Sequence, residues 1–283
     1  MATFILTNDA DVRFGTGEPD GIYGFGGDDL LAGLGGNDTI QAGDGNDAVF
    51  GSEGNDELDG GNGDDLVAGG PDNDTLTGGT GTDVLYGENG LDRVFGGEGN
   101  DILAGNQGND LIGGGNGDDA GFGGQGADSV YGDDGADTLT GDLDNDLVDG
   151  GNGNDMLFGG AGDDMVYGSA GADTIFAGQG ADTVHGGEGD DVIRGDLGND
   201  VLFGGGGADV FVMMPGSGQD VVRDFDGSQD DIDLTMFGFT DYNDFIFSSD
   251  IAFTATGAEI DLGGNAGVTI AGAGSLSQDW FLL

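Results

Sequence analysis

The chain has 283 residues, 68 of them Gly, and sets 56 acidic residues against four bases, Arg13, Arg93, Arg194 and Arg223. A formal charge of -52 excludes nucleic acid as a direct partner, because phosphate binding needs a basic footprint. The absence of Cys excludes a disulfide framework and a thiolate zinc site.

Gly and acid at this level describe either a disordered polyanion or a chain neutralised by bound cations, and the pattern of the acids decides. Residues 1–14 carry two apolar clusters, Phe4-Ile5-Leu6 and Val12 with Phe14, read as strand segments that cap the first coil. They lack a basic n-region and a long apolar h-region, so no N-terminal export signal is expected. No apolar run approaches the ~20 residues of a membrane span.

Residues 15–212 repeat every nine positions. A degenerate copy, Gly15–Tyr23, is followed by GFGGDDLLA from Gly24, GLGGNDTIQ from Gly33, and so on to GGGGADVFV from Gly204. There are 22 copies, and the sixth position is Asp in all of them. On alternate copies these are Asp20, Asp38, Asp56, Asp74, Asp92, Asp110, Asp128, Asp146, Asp164, Asp182 and Asp200. Between them stand Asp29, Asp47, Asp65, Asp83, Asp101, Asp119, Asp137, Asp155, Asp173, Asp191 and Asp209. Disorder imposes no such register. Position one is Gly except at Ala42 and Ala177, and position four is Gly except at Glu18, Asp72 and Asp144. Position five is Asn or Asp in 14 copies, which suits a left-handed backbone. Position eight is aliphatic or Phe except at Gly121. In Gly60–Ala68 the first six residues read as a turn and Leu66-Val67-Ala68 as a short strand with Val67 inward.

The unit G-G-x-G-x-D-x-U-x resembles the nonapeptide of the RTX (repeats-in-toxin) proteins, a hemolysin-type calcium-binding repeat. The resemblance implies an all-β fold, a right-handed parallel β-roll in which two nonapeptides complete one 18-residue coil. It also implies that alternate Asp residues stack in two columns, with Ca²⁺ between turns two copies apart and 20 ions at most. Carboxylates ~4.8 Å apart cannot all stay ionised without cations between them. Carboxylate and carbonyl oxygens without imidazole or thiolate select Ca²⁺. A site of ~10⁻⁴ M dissociation constant at millimolar Ca²⁺ adds roughly 1.4 kcal/mol by linkage, and many coupled sites decide whether a roll with so thin a core forms.

After Val212 the frame breaks. GSGQDVVRD (Gly216–Asp224) reads as a shifted copy with Asp220 as a further ligand. Residues 213–283 hold nine of the 23 aromatics, and runs at Ile251–Thr256, Glu259–Leu262 and Val268–Ala271 read as antiparallel strands of a cap. The stretch Arg223–Leu234 and the ending Asp279-Trp-Phe-Leu-Leu283 resemble the regions that succeed such arrays in secreted bacterial proteins. That resemblance implies a type I secretion signal, an ABC exporter as partner and an extracellular location.

Gly-rich GxGxxG matches carry no weight outside a βαβ context. His185, the only His, stands at an outward position nine and is expected to be solvated. No HExxH or GxSxG is present, so no catalytic residues are assigned and the chain is not read as an enzyme. Position nine also holds Phe50, Tyr86, Phe122 and Phe158 at 36-residue spacing, and Phe95, Tyr131, Tyr167 and Phe203 likewise. These are either a relic of duplication with good β-propensity or a ladder for cell-surface glycan or another partner. The functional expectation is a secreted calcium-binding repeat protein with a structural or surface-interaction role. The alternative is a membrane-active protein, because a short stand-alone chain of this design resembles the nodulation protein O type.

Overall fold

The computed structural model describes residues 2–255 and 257–283; Met1 and Thr256, at the ends of two expected segments, lie outside the described residues. The chain forms two compact units, residues 1–146 and 147–283. Each is an all-β parallel solenoid.

In the first unit every strand pairs in parallel with the strand 18 residues away. Leu66–Pro71 lies between Ala48–Glu53 and Val84–Asn89, with Val49, Val67 and Leu85 in register. Two strands therefore make one coil, as the repeat implies. The strands are longer than expected. They span six residues, positions seven to nine and the first three of the next copy, so the turn shrinks to positions four to six. Positions one to three join the ladder because they pair with their own copies one coil away, despite a positive φ at position two. Gly61 and Gly79 take φ +108° and +118° there, and Phe25, Leu34 and Glu88 adopt φ +76°, +79° and +77°, a conformation costly for a side chain. Position four is left-handed as well. A Cβ on Gly63 (φ +126°) would strike the Gly45 carbonyl. Asp72 and Asp144 occupy that position at φ +81° and +77°, which Asp tolerates better than most residues.

Asn and Asp at position five do not take the left-handed conformation expected of them. Their side chains form a ladder instead: Asn55 donates its N–H to Asn37 Oδ1 (3.2 Å), and Asn73 donates to Asn55 Oδ1 (3.1 Å). The preference reflects a carbonyl-bearing side chain of the right length, not backbone angle.

The core is a single file of position-eight side chains from the two sheets. Ile22, Leu31, Val67, Leu85 and Leu103 are fully buried. At Gly121 the neighbours close in, with Leu139 Cδ2 and Val130 Cγ1 2.9 and 3.0 Å from where a Cβ would stand. The coil also begins earlier than the nonapeptide motif. Ala2–Ile5 pairs with the start of Asp20–Gly26, and Val12–Phe14 pairs with the start of Leu30–Gly35, which puts Phe4 and Arg13 at position eight. The Arg13 guanidinium lies 3.5 Å over the Phe4 ring, so a cation covers the first apolar rung.

The second unit repeats this geometry from Leu147–Asn152 onward. The parallel ladder does not end at Val212. Gly218–Val222 pairs with Val201–Gly206, and Asp231–Asp233 pairs with Val210–Val212. Ala266–Ala271 and Phe281–Leu282 then add a last rung. The inward row continues as Leu202, Val222, Ile270 and as Phe211, Ile232, Phe281. The expected antiparallel segment is present, but confined to Asp250–Phe253, Gly257–Gly263 and Ala266–Ala271. A short helix, Tyr242–Ser248, precedes it. Phe281 packs on Phe245 at 4.8 Å between ring centres, and Trp280 meets Phe225 edge-on at 5.3 Å. Small insertions between Val212 and Gly218 and between Val222 and Asp231 lengthen those turns without breaking the coil, which is why the sequence frame is lost there while the backbone ladder persists.

Because one inward side chain carries each rung, Leu103→Ala is expected to destabilise the calcium-loaded fold by about 2–5 kcal/mol. Thr77→Ala on the outer face should stay within about 0.5 kcal/mol. Denaturant unfolding of the two variants checks this.

Candidate metal-binding turns

The repeated Asp closes each turn. Its carbonyl accepts from the position-seven N–H of the next coil, as Asp47 does from Leu66 (2.9 Å). Its N–H donates to Oδ1 of the next Asp in the column. Asp47 donates to Asp65, Asp65 to Asp83 and Asp83 to Asp101, at 2.7–2.8 Å. In the first unit one column runs from Asp20 through Asp38, Asp56, Asp74, Asp92, Asp110 and Asp128 to Asp146. The other runs from Asp29 to Asp137. In the second unit Asp164, Asp182 and Asp200 lead to Asp220. Asp155, Asp173, Asp191 and Asp209 lead to Asp230. Structure thus joins every Asp assigned from the sequence to such a ladder. It adds two the nonapeptide pattern missed: Asp230, and Asp11, whose N–H donates to Asp29 Oδ1. Asp11 was legible by stepping the frame back nine residues from Asp20; Asp230 lies 21 residues beyond Asp209 and gave no signal.

The second oxygen, Oδ2, separates interior turns from end turns. In Asp65, Asp83, Asp101 and Asp119, for example, it is buried without a hydrogen-bond partner. It points into the space beside the position-one Gly. A Cβ on Gly60 would strike Asp65 Oδ2 and stand 2.8 Å from the Gly78 carbonyl. The same cradle recurs at Gly78 with Asp83 and Gly96, and at Gly186 with Asp191 and Gly204. Gly is therefore favoured at position one by closeness to a carboxylate and a carbonyl, not by backbone angle, and the two exceptions, Ala42 and Ala177, are the smallest side chain. At the ends the oxygen is already satisfied. Asp20 Oδ2 accepts from the Thr16 N–H (2.7 Å) and hydroxyl (2.8 Å), and Asp11 Oδ2 accepts from both donors of Thr7. Asp220 Oδ2 accepts from the Ser217 hydroxyl (3.3 Å), and Asp230 Oδ2 from the Asp226 N–H (2.7 Å).

The charges respond accordingly. Burial, reinforced by neighbouring carboxylates, pushes Asp56, Asp65, Asp74, Asp119, Asp128 and Asp191 up to about 7. Burial, with the Asp220 carboxylate beside it, raises Asp200 to about 8. The Ala2 N–H and the Thr16 donors instead hold Asp20 below the usual range, and the two Thr7 donors do so for Asp11. The bases do not neutralise the columns. Arg194 pairs with Asp196 at 2.6 Å, and Arg13, Arg93 and Arg194 lie against aromatic rings.

Among the described residues no three carboxylate or imidazole side chains converge. Each turn offers one carboxylate oxygen amid main-chain carbonyls. This is an all-oxygen donor set without nitrogen or sulfur, as a hard divalent cation such as Ca²⁺ requires. The orphaned Oδ2 atoms and their side-chain-free cradles fit that ion. Asp65 with the Gly78 carbonyl, and the equivalent pairs along each column, would hold it, and its charge would offset the buried carboxylates.

His185 faces outward and is partly exposed, as expected, but it is stacked between neighbouring rings rather than freely solvated. Its ring lies between Tyr167 (5.0 Å) and Phe203 (4.4 Å), nearly parallel to both, and Phe158 stacks on Phe176 at 5.2 Å. In this unit the outward rings cover one another's faces.

Fold and turns together define a calcium-binding parallel β-roll. The model of the RTX calcium-binding nonapeptide repeat (4 copies) matches in overlapping segments from residue 23 to residue 211. The chain belongs to that family. No curated protein matches. A solved structure, the AlgE6R3 subunit from the Azotobacter vinelandii mannuronan C5-epimerase, is 28% identical over 50% of this chain and 78% of its own, with a TM-score of 0.33.

The turns set two expected outcomes. Asp101→Asn keeps a carbonyl oxygen for the ladder but replaces Oδ2 with an amide nitrogen. It should lower the bound-ion count and raise the Ca²⁺ concentration needed for folding. Asp20→Asn should leave the count unchanged. Equilibrium dialysis with metal analysis reads both. For the interior turns the folded pKa lies above 3.8, the unfolded value. Their contribution to a metal-free fold is therefore full below about pH 4 and lost as pH rises through about 7. Ca²⁺ requires the deprotonated form, so the Ca²⁺ midpoint of folding should rise as pH falls from 8 to 6, as monitored by circular dichroism.

Proposed function

We propose that the protein is a secreted calcium-binding repeat protein that stays unfolded at cytosolic Ca²⁺ and folds outside the cell into a structural or surface-interacting roll. The observation that carries this reading is the row of buried Asp Oδ2 atoms without hydrogen-bond partners beside side-chain-free glycines. At neutral pH such groups oppose folding unless a cation joins them. Submicromolar Ca²⁺ leaves sites of ~10⁻⁴ M dissociation constant empty, whereas millimolar Ca²⁺ fills them.

The metal ligands in this reading are the Asp residues of the interior turns, whereas the end turns, closed by Thr7, Thr16, Ser217 and the Asp226 amide, hold no ion. Export through an ABC transporter fits a chain that folds only after passage, with the Asp279–Leu283 tail as its signal. In the folded protein that tail forms the last rung, so it would be readable only in the unfolded chain. A structural role also fits the family. His185 is held in a ring stack between Tyr167 and Phe203.

A calcium titration monitored by circular dichroism should show a cooperative coil-to-β transition with a midpoint between about 10⁻⁵ and 10⁻³ M. A midpoint below micromolar, or β-structure that persists in chelator at pH 7.5, would contradict folding outside the cell.

A further inference from the structure

The first unit has an outer face that metal binding does not use. On it, position nine alternates between a ring and a methyl: Phe50, Ala68, Tyr86, Ala104 and Phe122 are in register on successive strands. Unlike Tyr167, His185 and Phe203 in the second unit, these rings have Ala, or Thr140 on one side of Phe122, on the adjoining strands rather than another ring. Tyr86 and Phe122 are each 39% exposed. Rings two coils apart recur about every 9.6 Å, close to the advance of one disaccharide in an extended β-linked glycan.

Polar groups run beside the rings. Three open clefts adjoin along this face. Glu88 lines the first and second, and Asn106 and Gln107 line the second and third. Asn89 and Gln125 extend the amide row. Amides both donate and accept, as recognition of sugar hydroxyls requires, and the flat C–H face of a pyranose packs on an aromatic ring face. The strands of this face, from Ala48–Glu53 to Thr138–Leu143, carry no base but include Glu53, Glu88 and Asp142. A polyanion would be repelled from it.

We propose that this face binds a neutral, extended, β-linked polysaccharide, with Tyr86 and Phe122 as stacking platforms and Asn106 and Gln107 as hydroxyl partners. This deepens the surface-interaction reading above and rests on it. The ring stacks of the second unit do not contribute, because their faces are covered.

The test uses the full chain in saturating Ca²⁺, titrated calorimetrically with cellohexaose, mannohexaose and xylohexaose. Hexagalacturonate serves as the anionic comparator, and circular dichroism checks the fold of each sample. At least one neutral hexasaccharide should bind saturably. Affinity should fall at least tenfold in Y86S/F122S and in N106A/Q107A and stay unchanged in Phe203→Ser. A folded protein that binds none of the neutral sugars would overturn the proposal while leaving calcium-dependent folding intact. So would affinity unchanged from the unsubstituted protein in either double variant, preference for hexagalacturonate, or self-association through this face that Y86S/F122S abolishes.

Discussion

A buried carboxylate oxygen with no protein donor is the constraint on which the rest of this structure depends. Along each column Oδ1 is used to fasten one coil to the next, and the Asp carbonyl is used in the sheet. Only Oδ2 remains, and the chain folds so that it is shielded from water. Leaving such a group ionised and unpaired is among the costlier things a fold can do. The sequence does not remove the cost with a base or a hydroxyl in the interior turns. It repeats the problem along both columns and leaves, beside nearly every such oxygen, a space that Gly keeps open, with Ala42 and Ala177 the two small exceptions. That combination is intelligible as a cation site and as little else.

The ends of the columns support the same reading from the opposite side. Where a column starts or stops, a Thr, a Ser or a main-chain N–H supplies the donor missing in the interior. The same Asp, in the same turn geometry, thus has Oδ2 satisfied by protein at the ends, whereas in interior turns such as those of Asp65, Asp83 and Asp101 that oxygen has no hydrogen-bond donor. Arg13 over Phe4 does for the apolar rung what Thr7 and Thr16 do for the polar column: a side chain closes a repeat that would otherwise need another coil.

Much of this was legible in the sequence because a solenoid turns periodicity directly into contact. The nine-residue step placed every position-six Asp on one of two columns and every position-eight side chain inside. Features that depend on stereochemistry rather than period escaped. The six-residue strands were hidden because glycines at positions one to three read as turn. The position-five Asn ladder was mistaken for a backbone-angle preference because both favour the same residues. Beyond Val212 insertions shifted the frame, so Asp230 and the parallel rungs that end in Phe281 were masked by a change of composition. The aromatic rows looked alike at 36-residue spacing. The residue on the strand between them, Ala68 and Ala104 among Phe50, Tyr86 and Phe122 but His185 between Tyr167 and Phe203, decides whether ring faces are open or covered.

Amide hydrogen exchange at pH 7.5 on the column amides, with Asp47, Asp65 and Asp83 as reporters, probes the coupling between ion and coil most directly. In millimolar Ca²⁺ these amides, each donating to the carboxylate of the next coil, should be strongly protected. In chelator they should exchange at the rate of an unfolded chain. Strong protection in chelator, with no metal detected in the sample, would contradict it.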